Sequence, residues 1–181
     1  MKAIPTALPG VFVIEPRVFG DARGFFFESW NSRAFDAAVG HEARFVQDNH
    51  SASTRGVLRG LHYQVRQPQA KLVRVVVGEV YDVVVDLRRS SPAFGHWIGE
   101  RLCAESHRML WVPEGFAHGF VTLSDRAEFL YKTTDYYAPE HERTLLWNDP
   151  ALGIAWPLDG APILKPKDAQ GTPLASAETF P

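Results

Sequence analysis

Apolar residues along this chain fall in short runs rich in Val, Phe, Tyr and Trp, and turn residues such as Gly10, Gly20, Gly40, Gly56 and Gly78 separate many of them. Short apolar runs bounded by turn signals predict strands rather than helices. The expected strands are Val11–Ile14, Gly24–Trp30, Arg44–Ser53, Val57–Gln64, Leu72–Val77, Val80–Leu87, His96–Ala104, Met109–Val112, His118–Leu123 and Glu128–Thr134. One short helix is predicted over Ser32–Val39, capped by Asn31 and stopped by Gly40. The absence of strand–helix–strand alternation argues against a parallel nucleotide-binding sheet. An all-β antiparallel barrel or jelly roll with a few short helices is the expected fold, because closure removes exposed sheet edges. The Pro-rich tail from Pro157 to Pro181 reads as irregular, and composition leaves open whether it frays or packs back over the barrel.

Composition narrows the partners. A chain of 181 residues with 45% hydrophobic and 22% charged residues has the size and balance of one globular domain, expected to span residues 1–181. A net charge of −2 with no basic half offers no stripe for nucleic acid, so an anionic ligand must be gripped locally. Cys103 is the single cysteine, which leaves no internal disulfide and reads as a packing residue in a reducing compartment. The longest apolar stretch, Leu72 to Leu87, is broken by Arg74, Gly78, Glu79 and Asp82, and the N-terminus shows no apolar signal region. A cytoplasmic protein with no membrane partner is the expectation.

Small barrels hold ligands in their mouths, so ionisable residues inside apolar strands are the candidates for chemistry. Three stretches qualify. The first is Arg59-Gly60-Leu61-His62-Tyr63-Gln64, followed by Lys71 at the head of a Val-rich strand. Arg59 and His62 differ in parity, so an ideal strand would point them to opposite faces unless Gly60 marks a bulge. The second is Pro113-Glu114-Gly115-Phe116-Ala117-His118, a turn that delivers His118 to a strand start. Barrels with such a histidine often use it as a metal ligand together with a His-x-His pair. Here the earlier strand reads His62-Tyr63-Gln64, without the second histidine, so no metal is expected and both histidines are free for proton transfer or hydrogen bonding. The third runs from Tyr131-Lys132-Thr133 to Tyr137 and Glu142-Arg143. Taken singly, a strand histidine or tyrosine is more often structural than catalytic.

Together these stretches resemble the dTDP-4-dehydrorhamnose 3,5-epimerase family. The resemblance runs from Gly20-Asp21-Ala22-Arg23-Gly24-Phe25, through Gln47-Asp48-Asn49-His50-Ser51 and the His62 stretch, to Lys165-Pro166-Lys167-Asp168-Ala169. It implies a homodimeric cupin-fold isomerase that needs no cofactor and inverts a dTDP-linked 4-keto-6-deoxyhexose at C3 and C5. By position, His62 matches the family's general base, Tyr131 its general acid, Asp168 the carboxylate holding the base, and Lys71 the residue near the keto oxygen. Arg23, Phe26, Glu28, Gln47, Asn49, Arg59, His118, Glu142 and Lys167 match substrate-contacting positions, and Tyr137 is similar to the aromatic that stacks on thymine. The tail would thus contribute to the site.

The chemistry suits these residue types. A hydrogen beside a ketone is removable because the carbanion delocalises as an enolate, so a base, an oxyanion stabiliser and an opposed acid are required. Histidine as a residue type titrates at about 6.5, near the working pH, and a carboxylate on its other nitrogen fixes the tautomer. Three rivals remain open at this point. They are a sibling inverting C3 alone, a metal-dependent cupin, and a non-catalytic sugar-nucleotide binder.

Overall fold

A computed structural model describes residues 1–181. Thirteen strands carry the fold: β1 (Lys2–Pro5), β2 (Phe12–Glu15), β3 (Phe19–Asp21), β4 (Gly24–Phe26), β5 (Gln47–Thr54), β6 (Leu58–Gln64), β7 (Lys71–Val77), β8 (Glu79–Asp86), β9 (Trp97–Cys103), β10 (Met109–Val112), β11 (Phe116–Thr122), β12 (Arg126–Thr133) and β13 (Glu142–Thr144). Two helices, α1 (Ser32–Val39) and α2 (Pro166–Ala169), and three short 3₁₀ turns complete it. Asn31 caps α1 by accepting the Ala34 N–H at 3.1 Å, and Gly40 ends it in the left-handed region at φ 86°.

The strands form a six-stranded sheet ordered β1-β2-β10-β7-β12-β5 and a five-stranded sheet ordered β13-β6-β11-β8-β9, with β3 and β4 as a separate hairpin. Every pairing between these strands is antiparallel. The architecture is a cupin-type jelly roll. Strand alternation builds three cores. Val73, Val75, Val80, Val84, Phe120 and Phe129 fill the space between the sheets. Leu72, Met109, Trp111 and Ile14 face outward from the large sheet and are covered by α1 through Phe35, whose ring meets Trp111 at 5.2 Å. Leu61, Tyr63, Val83 and Val85 face outward from the small sheet and are covered by Leu152, Ala177, Trp156 and Phe180 of the C-terminal segment. Full burial of each such side chain contributes about 1.5–3 kcal/mol.

The tail does not fray. Isolated bridges tie Ile163 to Val57, Thr172 to Leu145 and Phe180 to Arg88, and α2 sits over β6. Other boundaries move. The strand expected over Gly24–Trp30 stops at Phe26, because Phe27 and Trp30 leave the ladder to pack on the outer core. The strand expected from Arg44 starts at Gln47. His118 is not at a strand start but at the third position of β11. Strands β1, β3 and β13 escape pattern reading because they are three or four residues long and none is a buried apolar run. Cys103 ends β9 as a half-buried free thiol.

Candidate active site

The parity conflict between Arg59 and His62 resolves as a bulge. His62 pairs with His118 and Arg59 pairs with Phe120, so the step of three residues on β6 faces a step of two on β11. Gly60 lies there at φ 128°, and a Cβ on it would stand 2.6 Å from the Gly119 Cα. Only glycine fits that approach. Arg59 and His62 therefore share the inward face, and both line one cleft of about 120 Å³ with Gln64, Lys71, His118, Tyr131, Tyr137 and Glu142.

His62 reaches Asp168 of α2 through Nε2 at 2.7 Å. Asp168 is buried, while the imidazole remains about one-third open to the cleft. A carboxylate on Nε2 leaves Nδ1 as the nitrogen that can take a proton. Directly across β11, His118 forms a second histidine–carboxylate pair, its Nε2 at 2.9 and 3.0 Å from the two oxygens of Asp82. Asp82 was not among the residues expected from the sequence; its only signal is an acidic residue inside a valine-rich strand. It is completely buried, and desolvation raises its pKa against the opposing pull of His118.

The opposite wall comes from the large sheet. Lys71 on β7 is buried, and desolvation lowers its pKa to about 8 against the attraction of Glu142 and Asp82. Tyr131 on β12 is raised, first by burial and then by Glu142, with Arg59 opposing, so its phenol holds its proton at neutral pH. Glu142 on β13 is half-buried. Burial would raise it, but hydrogen bonds from Lys167 and Tyr137 and the charge of His62 hold it below the usual range.

The rim completes the inventory. Arg59 is braced by β5, donating from Nε to Ser53 Oγ at 2.9 Å and from an Nη to the Ala52 carbonyl at 3.1 Å. Gln47 and Asn49 project from β5 on the same side as Tyr131, and Gln47 Nε2 donates to Asn49 Oδ1 at 2.9 Å. Asn49 Nδ2 is buried without a partner. A buried unpaired donor beside a cleft is a place for a ligand oxygen. A larger groove of about 200 Å³ lies by Trp30, Asp48, Asn49, Arg74, Tyr131 and Lys132; it contains no histidine, and Tyr131 lines both it and the His62 cleft, while Asn49 lines this groove alone.

Three expected site residues are not brought to this cleft. Arg23 pairs with Asp21 and Phe26 lies open to solvent, both on the β3–β4 hairpin, while Glu28 accepts from Asn31 Nδ2 at 3.1 Å just beyond it. The hairpin borders its own surface groove, with Phe19, Phe25 and Phe26 exposed. No group of three or more His, Cys, Asp or Glu side chains is arranged to hold a metal ion.

Ionisable side chains able to exchange protons line the cleft from both sheets, an arrangement that suits an acid–base isomerase. Residues 5–176 match the dTDP-4-dehydrorhamnose 3,5-epimerase family. A dTDP-4-dehydrorhamnose 3,5-epimerase of Pseudomonas aeruginosa is 66% identical over 181 residues, covering 100% of both chains. Among solved structures, a dTDP-6-deoxy-D-glucose-3,5-epimerase of Legionella pneumophila in complex with dTDP-4-keto-L-rhamnose superposes with a TM-score of 0.95 at 50% identity, covering 98% of this chain and 94% of the other. A 3′-monoepimerase from Streptomyces bikiniensis bound to dTDP-quinovose gives a TM-score of 0.90 at 37% identity, covering 97% of this chain and 88% of that one. The chain belongs to the dTDP-4-dehydrorhamnose 3,5-epimerase family.

Proposed function

We propose that this isomerase inverts C3 and C5 of dTDP-4-dehydro-6-deoxy-D-glucose to give dTDP-4-dehydro-L-rhamnose. The observation that carries this reading is the carboxylate-held His62 on one wall of the cleft, with Tyr131 and buried Lys71 on the other. His62 Nδ1 takes the hydrogen from the carbon beside the ketone, and the electron pair moves into the C4 oxygen as an enolate. The Lys71 ammonium stabilises that oxyanion; a preorganised donor of this kind is worth about 3 kcal/mol in other enzymes. Tyr131 then gives its phenolic proton to the opposite face of the carbon, which inverts the centre. Proton return from the histidinium to the phenolate, directly or through water, restores both groups. A second cycle at the other carbon completes the product, and side chains alone handle every proton and charge.

The diphosphate is met by Arg59 and Lys167 at the rim, Asn49 Nδ2 and His118 face sugar oxygens, and Tyr137 stacks on thymine above Glu142 and Gln47. The homodimer belongs to this reading. Arg23, Phe26 and Glu28 stand away from their own cleft, and exposed Phe25 and Phe26 favour a covered hairpin, so Arg23 of the partner subunit would close each site. Cytoplasmic residence fits the single half-buried free thiol of Cys103. No helix is long and apolar enough to cross a membrane.

The alternative, inversion at C3 alone, is not favoured, since the double epimerase of P. aeruginosa is far more similar than the monoepimerase. The test is incubation with dTDP-4-keto-6-deoxyglucose in heavy water, following deuterium at C3 and C5 by NMR. Label at both carbons, lost in His62→Ala, is expected. Label at C3 alone would move the assignment to the monoepimerase, and label persisting in His62→Ala would remove His62 as the base.

A further inference from the structure

Gln64 stands where a metal-binding barrel would carry its second histidine, yet it is turned to a different use. Its side chain is buried and spends both ends on backbone. Nε2 donates to the Gln67 carbonyl at 2.7 Å and to the Tyr136 carbonyl at 3.2 Å, while Oε1 accepts the Ala138 N–H at 2.9 Å. Two further glutamines reach the same segment. Gln69 Nε2 donates to the Asp135 carbonyl at 2.8 Å, and Gln47 Oε1 accepts the Tyr137 N–H at 3.1 Å.

This segment, Asp135 to Ala138, links β12 to the turn before β13. No backbone-to-backbone hydrogen bond reaches Asp135, Tyr136 or Tyr137. A loop without a ladder must satisfy its peptide groups through side chains or water. Glutamine suits this because its amide supplies two N–H donors for the Gln67 and Tyr136 carbonyls and an oxygen for the Ala138 N–H, whereas a neutral histidine has one donor and an ionised glutamate none. The anchoring is one-sided. The backbone of Tyr137 is held on both flanks, while its ring remains about half exposed over the cleft with its hydroxyl on Glu142.

We infer that Gln64, Gln69 and Gln47 form a clamp that presets the Tyr137 ring for an aromatic nucleobase, with Gln64 and Gln69 acting as positioning residues whose amides, though at the cleft wall, are spent on the backbone of this segment and its neighbours. The inference rests on Tyr137 being the base-stacking residue. A ring fixed in advance loses less freedom on binding, so the clamp acts on affinity for the nucleotide and not on the proton transfers.

Calorimetric titration with dTDP and with inorganic pyrophosphate, beside steady-state kinetics, tests it. Gln64→Leu is expected to weaken dTDP binding about tenfold, the scale of one base stacked on an aromatic ring. KM should rise in step, with kcat and pyrophosphate affinity held within about twofold. The double variant Gln64→Leu with Tyr137→Ala should bind dTDP no more weakly than Tyr137→Ala alone, since both changes remove the same contact. Additive losses, or a fall in kcat at unchanged KM, would overturn the clamp while leaving Tyr137 in place. Unchanged dTDP affinity in Tyr137→Ala would instead overturn the stacking reading, and the clamp's purpose with it. Should Gln64→Leu fail to fold, Gln69→Ala removes one rim hydrogen bond and is expected to lower dTDP affinity about threefold with the same KM-only signature; unaltered affinity there would refute the clamp.

Discussion

The cleft and the β3–β4 hairpin treat charged residues in opposite ways. In the cleft, Asp82 and Asp168 are buried against histidines, and Lys71 is buried among Glu142, Asp82 and a phenol. On the hairpin, Arg23 is about 90% exposed and pairs with its own neighbour Asp21, in a contact of the kind that adds little at a surface. Buried ions in a dry pocket act strongly on reacting charge and burden the fold, whereas exposed ions do neither until something covers them. The contrast separates charges buried against partners within the fold from charges left at its surface.

Replacing Lys71 would test the cleft most severely. Lys71→Met is expected to reduce turnover by about a hundredfold to a thousandfold while stabilising the fold. The sign follows from burial. The folded pKa of about 8 lies below the ordinary 10.5, so the unfolded chain binds more protons between those values, and stability rises with pH across that window. The penalty in the wild-type protein is fully present at pH 7, of order 3 kcal/mol, and is gone above 10.5. Urea melts of both proteins should therefore differ most at neutral pH and converge in alkali. A less stable Lys71→Met at pH 7 would contradict the desolvation account.

Gly60→Ala attacks the geometry instead of the chemistry. A Cβ there meets the Gly119 Cα at 2.6 Å on a residue at φ 128°, so about 2–3 kcal/mol of stability should be lost. Activity should fall at least tenfold, because the bulge is what keeps Arg59 and His62 on one face. Wild-type activity in this variant would show that the bulge is dispensable.

The hairpin's role separates by mixing. Arg23→Ala alone should raise KM about tenfold, the scale of one charge-assisted contact. Chains carrying Arg23→Ala mixed with chains carrying His62→Ala should recover more activity than the two separate preparations combined, since each mixed dimer would contain one intact site. No recovery after verified exchange would place Arg23 outside the partner's site. The smallest effect is expected from Lys132→Ala in the larger groove. Its pair with Asp48 is a partly exposed contact worth less than about 1 kcal/mol, and turnover should not change. A loss of turnover would shift the site toward that groove.

Much of the fold was legible locally. The helix Ser32–Val39 has its predicted ends because Asn31 and Gly40 act on adjacent backbone. The valine-rich strands follow from short apolar runs between turn residues, and His62, Tyr131, Lys71 and Arg59 stood out as candidates because ionisable residues interrupt apolar strands, their roles being implied by the family resemblance. The short polar strands were not legible, since β13 exists only because β6 offers it a partner. Asp82 was hidden for a related reason, as its significance depends on His118 of the neighbouring strand.

The chain's own pattern thus determined the all-β class, the capped helix, and which ionisable side chains interrupt apolar strands, because propensity, capping and turn signals act within a few residues; the roles proposed for those side chains came from the family resemblance. Tertiary structure alone decided the rest. It set the bulge that turns Arg59 and His62 to one face. It brought Asp168 from the tail to His62 across 106 positions of sequence, and set Arg23, Phe26 and Glu28 apart from the cleft they were expected to line. Those outcomes depend on close approach between segments distant in sequence, and no local pattern encodes such distances.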